Sequence, residues 1–234
     1  MLILKYLQLP FYFDAERMQE EVRSLSTSTW QPHYQKLHYE GEWSALPLIS
    51  VDGNPDNIVI APQAGCQYKE TIFLKACPYL QEVLNNFNCP LQAVRLLKLN
   101  AGAVIKEHKD AELCFEKGEI RLHIPVLTHE DVEFYLDKER IYAKEGECWY
   151  MNFNLPHSIT NKSNINRVHL VIDALVNDWV KELFARNDNP VKKETENKQY
   201  DDETKRQMIA RFREMNTETS NRLADEMAAG LDMK

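Results

Sequence analysis

Short apolar runs broken by turn residues dominate the middle of the chain. From Leu91 onwards LQAVRLLKLN, AVI, EIRLHIPV, VEFYL, RIYA, ECWYMNF and NRVHLVIDAL follow one another, with Gly102, Gly118, Asp137, Gly146 and Asn161 at the breaks. No helical period comes between them. Many short strands at close spacing predict an antiparallel sandwich or barrel, so the fold class is mainly β with flanking helices. Two runs alternate strictly. In residues 118–126, Ile120, Leu122, Ile124 and Val126 share one face, while Arg121 and His123 share the other. In residues 166–174, Val168, Leu170, Ile172 and Ala174 oppose Arg167, His169 and Asp173. A period of two separates the faces but does not say which of them meets water.

Ahead of this region residues 2–9 read as a short strand. Asp14 then stands where a helix N-cap is needed, with Met18, Val22 and Leu25 spaced to share one helix face. Residues 30–43 are rich in aromatics and histidine, VDGNPDN and APQAGC carry turn chemistry, and a helix is expected over residues 77–84. These elements read as a frame around the β region. At the far end, residues 201–234 predict an amphipathic helix. Asp201 and Asp202 serve as caps, Met208, Phe212, Met215, Leu223 and Met227 form one stripe, and Gly230 is a stop. The chain is thus read as a β domain at 1–185 with an N-terminal helical frame, a polar linker at 186–200 and a C-terminal helix at 201–234. A methionine-rich stripe marks packing first; a lid or a homodimer contact is the functional alternative.

Composition supports that division. Residues 186–234 hold 10 basic and 11 acidic side chains, a far denser charge than the rest of the chain carries. Over all 234 residues, 28 Lys and Arg stand against 36 Asp and Glu. That excess argues against a surface built to neutralise phosphates, so neither nucleic acid nor an anionic membrane is expected as a partner. No apolar run has the length of a membrane span, and MLILKYLQLPFYF lacks the basic start and cleavage site of a signal peptide; a cytoplasmic protein is expected. Five cysteines, Cys66, Cys77, Cys89, Cys114 and Cys148, form no CxxC pair, which points to reduced thiols and away from a disulfide framework or a thiolate zinc site.

The chemistry rests on histidine spacing. Two imidazoles and a carboxylate on one face of a metal leave the opposite face open, the arrangement of oxygen-activating non-haem iron. Its sequence sign is His-x-Asp/Glu with a distant histidine. About one such tripeptide is expected by chance in this composition, and three are present: His38-Tyr-Glu40, His108-Lys-Asp110 and His129-Glu-Asp131. Context separates them. His108-Lys-Asp110 follows a turn and a short apolar run. His157 comes 49 residues later in a proline-held turn, and Arg167 begins the next strand, where it can clamp an anion. His129-Glu-Asp131 lies between two strands and reads as a solvated turn. His38-Tyr-Glu40 precedes the β region among aromatics and reads as packing or rim.

The segments VRLLKLNAGAVIKEHKD, GEIRLHIPV, GECWYMNFNLPHS and NRVHLVID resemble the aspartyl/asparaginyl β-hydroxylase family of Fe(II)- and 2-oxoglutarate-dependent oxygenases. The likeness is nearer to bacterial members, including cis-proline hydroxylases, than to the animal peptide hydroxylase. It runs from about Trp30, through His33 and EGEWSALPL, to Trp179, and covers none of the tail. The resemblance implies a double-stranded β-helix, or cupin-like jelly roll, with the Arg121/His123 and Arg167/His169 faces turned into the site. It implies His108, Asp110 and His157 as Fe(II) ligands and catalytic residues, and Arg167 with His123 and His169 as cofactor-binding residues at 2-oxoglutarate. Arg121 and His123 would bind the substrate.

The retained Asp110 matches the proline hydroxylases rather than the animal enzyme and disfavours halogenation. Residues 94–99 offer no Ser or Thr to assist Arg167, so Tyr150, Asn152 and His169 are the candidates for that contact. The expected function is O2-dependent hydroxylation of an unactivated C–H bond in a carboxylate-bearing substrate: a free amino acid, an amino-acid derivative or a peptide side chain. The alternatives are a non-catalytic metal- or small-ligand-binding barrel and a dioxygenase or isomerase without cosubstrate, which would leave Arg167 no anion to hold.

Overall fold

The computed structural model describes residues 3–25, 30–60, 67–111 and 113–187, and eight positions near the C-terminus. The chain divides into two compact units, with the division between residues 189 and 190. In chain order the first unit contains β1 (Tyr6–Tyr12), α1 (Ala15–Ser24), β2 (Gln31–Pro32), β3 (Tyr39–Glu40), β4 (Trp43–Val51), β5 (Tyr68–Glu70), α2 (Ile72–Lys75) and α3 (Pro78–Leu84). It continues with β6 (Leu91–Leu99), β7 (Val104–His108), β8 (Glu119–Leu127), β9 (Val132–Leu136), β10 (Glu139–Ile141), β11 (Glu147–Met151), β12 (His157–Asn161), β13 (Arg167–Leu175) and α4 (Asp178–Asn187).

The strands form two sheets. The larger runs β1-β11-β8-β13-β6-β4-β2, with β5 added beside β4, and the smaller runs β10-β9-β12-β7-β3. The strand pairs are antiparallel. An apolar layer fills the space between the sheets: Trp43, Ala45, Leu97, Leu99 and Val171 from the larger meet Ile105, Phe134, Leu136 and Ile159 from the smaller. This is a jelly roll, mainly β with few helices, as its closely spaced strands predict.

The opposite face of the larger sheet does not meet water either. Leu46, Leu48, Leu96, Ile120, Leu122, Leu170 and Ile172 are buried there in one cluster with Met18 of α1, Leu80 and Val83 of α3, and Val180 and Phe184 of α4. Helix α1 begins where expected: Asp14 caps it by accepting from the Arg17 N–H at 3.2 Å, a contact of the kind worth ~1 kcal/mol. The apolar half of each alternating strand therefore lies under helices, and the polar half points between the sheets.

Several elements depart from the sequence reading. The first strand is Tyr6–Tyr12 rather than residues 2–9, and its register with β11 shifts between Leu9 and Tyr12, next to a proline that has no N–H for the ladder. Residues 43–51 carried no strand expectation because WSALPLISV is apolar almost throughout, yet they form β4, buried along most of its length. The turn expected around His157 opens directly into β12. In addition, α4 extends to Asn187, two residues into the expected linker.

In the second unit the described residues Arg206, Gln207, Ile209, Ala210, Arg211, Arg213, Asp225 and Ala228 are helical, with Ile209 buried. The stripe Met208, Phe212, Met215, Leu223 and Met227 and the caps Asp201, Asp202 and Gly230 lie outside the described residues. Among those described, no helix is long and apolar enough to cross a membrane.

Candidate active site

Register brings the histidines together. Strands β7 and β12 pair so that His108 stands directly opposite His157, and the ring centroids lie 4.2 Å apart. His108 Nδ1 contacts the Lys106 carbonyl at 2.8 Å, and His157 Nδ1 contacts the Leu155 carbonyl at 3.0 Å. A carbonyl only accepts, so each Nδ1 carries a proton, and Nε2 is the atom that presents a lone pair when the ring is neutral. That is the state in which an imidazole binds a metal. Asp110 follows β7 and is anchored by its own N–H, which donates to the Phe153 carbonyl at 2.9 Å. Its Oδ1 lies 3.8 Å from His108 Nε2. The three residues offer ligand atoms all within 4.8 Å of one another, and among the described residues theirs is the group that could hold a metal.

Electrostatics favour the metal-binding protonation states. Burial pushes His157 down to about 4, so its imidazole is neutral near pH 7. For Asp110, burial acts to raise the pKa, but Arg121, with His157 and His108, outweighs it and lowers the carboxyl below its usual range.

Behind the triad runs a chain of buried charges. Arg121 on β8 is the register partner of Asp173 on β13. Its Nε donates to Asp173 Oδ1 at 2.6 Å, its Nη2 to Asp173 Oδ2 at 3.3 Å and its Nη1 to Asp110 Oδ2 at 2.6 Å. Asp173 Oδ2 also accepts from Arg95 Nη2 on β6 at 2.9 Å. Arg121 is thus at the site, but all three of its guanidinium nitrogens are already bonded to carboxylates. Burial acts to lower its pKa, and Asp173 and Asp110 outweigh that and raise it.

Arg167 is the opposite case. It is 3% exposed, its Nη2 meets His169 Nδ1 at 3.0 Å, its Nε has no partner, and burial pushes it down to about 9. Among the described residues it has no carboxylate partner. A buried cation in that state is strongly disfavoured unless an anion joins it.

His169 Nδ1 also lies 3.3 Å from His123 Nδ1. His123 stacks on Phe153 with centroids 4.9 Å apart, and its Nε2 is buried without a partner. Of the three candidates for assisting Arg167, His169 alone contacts it. The Tyr150 hydroxyl accepts from the Phe115 N–H at 2.9 Å within the helix-covered cluster. Asn152 donates to the Leu4 carbonyl and accepts from the Asn154 N–H.

Of the remaining His-x-Asp/Glu tripeptides, one lies away from this cluster and one borders it through its histidine. Asp131 N–H donates to His129 Nδ1 at 3.2 Å in an exposed turn. The His38 ring lies 5.0 Å from that of His108, while Glu40 pairs with Lys106 at the surface. Sequence reasoning gave no role to Arg95 or to a cavity of about 290 Å³ lined by His33, Tyr34, Trp43, Arg95, Asp110 and Arg121. An arginine inside the apolar run of β6, in phase with Leu97 and Leu99, was the available signal.

Comparison with known proteins agrees with this architecture. The family model described as aspartyl/asparaginyl beta-hydroxylase matches residues 13–176. L-proline cis-4-hydroxylase of Rhizobium meliloti (strain 1021) is 26% identical over 182 residues, covering 76% of this chain and 64% of the relative. L-proline cis-3-hydroxylase 2 of a Streptomyces species is 25% identical over 150 residues, covering 62% and 52%. The chain therefore spans between half and two thirds of these relatives' lengths. A solved oxidoreductase of the 2OG-Fe(II) oxygenase family from Burkholderia pseudomallei shares the fold, with a TM-score of 0.50 at 13% identity over 72% of this chain and 84% of that one.

Proposed function

The chain belongs to the aspartyl/asparaginyl β-hydroxylase family, and from that premise we propose that it is an Fe(II)- and 2-oxoglutarate-dependent dioxygenase that hydroxylates a C–H bond of a small amino acid. The observation that carries the reading is the grouping of His108, Asp110 and His157, together with a buried Arg167 that has no carboxylate partner among the described residues. The donor set fits the metal: two imidazoles whose Nδ1 atoms are taken up by backbone carbonyls and one carboxylate are the facial ligands typical of non-haem Fe(II). Arg167 fits the cosubstrate, because a distal carboxylate would supply the anion that its guanidinium lacks. His169 orients that guanidinium, and His123 stands beside it at the cosubstrate or substrate.

When bound, Fe(II) and 2-oxoglutarate supply, with O2, the oxidising power for hydroxylation, leaving succinate and CO2. The chain's own residues position and shield. The Lys106 and Leu155 carbonyls hold the two imidazoles in one tautomer and orientation. Phe153 stacks on His123 and meets the edge of His157, keeping water from the metal side. The cavity beside Asp110 is where a substrate would lie. At about 290 Å³ it is near the small end of ligand pockets, roughly 300–1,000 Å³, which favours a free amino acid over a peptide. The names of the two relatives make L-proline the first compound to try.

The test is anaerobic titration with Fe(II) and 2-oxoglutarate, followed by succinate release measured over free amino acids, L-proline first, and short peptides. A visible charge-transfer band and substrate-dependent succinate are expected. His157→Ala should lose both, by more than the roughly 10–100-fold that removing a ligand's outer partner costs. Full turnover in that variant, or tight binding of both ligands with no succinate from any compound, overturns the reading; the latter result would describe a binding barrel.

A further inference from the structure

We propose that cosubstrate binding is proton-coupled: when the dianionic 2-oxoacid enters, one proton from solvent is taken up on Nε2 of His123, because His169 and Arg167 hold the other nitrogen of that ring as a donor. The proposal rests on the oxygenase reading above and adds to it a step performed by the chain's own residues.

A chain of donors and acceptors fixes where the protons are. The Arg167 guanidinium only donates, so His169 Nδ1, 3.0 Å from Nη2, carries a lone pair and no proton. His123 Nδ1 lies 3.3 Å from that same atom. Two bare nitrogens would repel at this distance, so the proton between the rings belongs to His123, and His169 Nδ1 is an acceptor shared by both neighbours. Burial, with Arg167 beside them, pushes both histidines well below their ordinary range, so both rings are neutral near pH 7 in the free chain. A neutral imidazole has one N–H. With that N–H committed to His169, the Nε2 of His123 is a bare acceptor, and it is buried without a partner.

A bare acceptor is the wrong group to meet a carboxylate. The His123 ring nevertheless joins the two ends of the proposed cosubstrate site: through His169 it touches Arg167, and it stacks on Phe153, whose ring meets that of His157 edge-on at 4.7 Å. The groups that act on its charge are Arg167 of β13, Arg121 of β8, His157 of β12 and Arg95 of β6; Trp149, its register partner on β11, has no charge. The buried carboxylates of Asp110 and Asp173 are already bonded to Arg121. An anion arriving here is met by His123 only if Nε2 gains a proton, and the anion's charge offsets the cations that keep the ring neutral. Reversing the tautomer instead would set two bare Nδ1 atoms face to face. The ligand does not bring the proton, since its carboxyl groups are ionised near pH 7, and Arg167, at about 9, is already charged there.

Calorimetric titration of 2-oxoglutarate into the Zn(II)-loaded full chain, repeated near pH 7 in buffers of different ionisation enthalpy, counts the protons. About one per ligand should be taken up, with the dissociation constant rising by up to about tenfold per pH unit as pH rises. His123→Gln should bind without uptake and with a flat pH profile. His169→Phe is the sharper variant: it keeps His123 but removes the acceptor, so the neutral ring can turn its N–H to the ligand and uptake should vanish. A metal-bound water contributes equally in all three proteins, so the difference between them belongs to His123. Nitrogen NMR of the histidine rings in the native chain reads the same step without a variant: His123 should carry one proton, on Nδ1, in the free protein and two in the complex, while His169 Nδ1 stays unprotonated in both.

Binding of 2-oxoglutarate by the native chain without proton uptake, uptake that persists in His169→Phe, or a His123 ring with a single proton in the complex overturns the proposal and leaves the oxygenase reading standing. If the metal-loaded native chain binds no 2-oxoglutarate, the oxygenase reading falls and the proposal falls with it.

Discussion

The two faces of the larger sheet are built by the same strands and do opposite work. On β8, Ile120, Leu122 and Ile124 go under the helices, while Arg121 and His123 go between the sheets; β13 does the same with Leu170 and Ile172 against Arg167, His169 and Asp173. Both faces are buried, so the difference between them is chemical and not one of exposure. The helix-covered face is satisfied within itself: apolar groups pack against apolar groups, and Tyr150 has its hydrogen-bond partner. The inner face holds two arginines with unpartnered nitrogens and a histidine with an unpartnered Nε2. A fold stabilised by one face can tolerate unmet polar groups on the other, and those groups are where ligands would be recognised.

The sharpest way to break this comparison is Leu122→Ala. Leu122 is 1% exposed and sits in sequence between Arg121 and His123. Truncating it removes packing under the helices and should cost ~2–5 kcal/mol of unfolding free energy. Metal and 2-oxoglutarate dissociation constants, measured on the folded protein, should not move. If they shift while stability holds, the two faces are not independent and the division is wrong.

Much of this arrangement was legible in the alternation of residues 118–126 and 166–174, which separated the faces correctly. What the period could not carry was the sign, because helices from before and after the β region cover the apolar side. The triad's spacing marked His108, Asp110 and His157 as candidates, but their meeting depends on β7 and β12 pairing in one register, and the segment at His157 looked like a turn. The bond between Arg121 and Asp173 depends likewise on register between strands 52 residues apart. Arg121 looked like a free cation in the sequence because its neutralising aspartate lies on another strand. Arg95 was hidden for a different reason: a single arginine in an apolar run leaves no alternation to read. Strand β4 was missed because a segment buried on both faces loses its period.

Arg167→Met sharpens the comparison from the inner face. Among the described residues the buried Arg167 guanidinium has no carboxylate partner, so an apolar chain of similar length should be neutral or stabilising by ~1–4 kcal/mol. The same change should abolish the response to cosubstrate. At a 2-oxoglutarate concentration 100 times its dissociation constant the native chain gains ~2.7 kcal/mol, and the variant should gain nothing. Denaturant unfolding with and without 2-oxoglutarate measures both. A variant that is much less stable and still responds to the ligand would show that Arg167 serves structure.

Tyr150→Phe asks the converse question of the helix-covered face, and its effect should be the smallest. Tyr150 lies on β11 next to Trp149, which packs with the inner cluster, and by residue type it was a fair candidate for assisting Arg167. Its ring instead packs 4.9 Å from Phe184 of α4, and its hydroxyl accepts from the Phe115 N–H. Phenylalanine keeps the ring contact and leaves one buried N–H without its acceptor, a loss of ~1–3 kcal/mol. Because the hydroxyl points away from the space between the sheets, the 2-oxoglutarate dissociation constant should be unchanged. A rise in that constant at undiminished stability would move Tyr150 into the site and reverse the face assigned to β11.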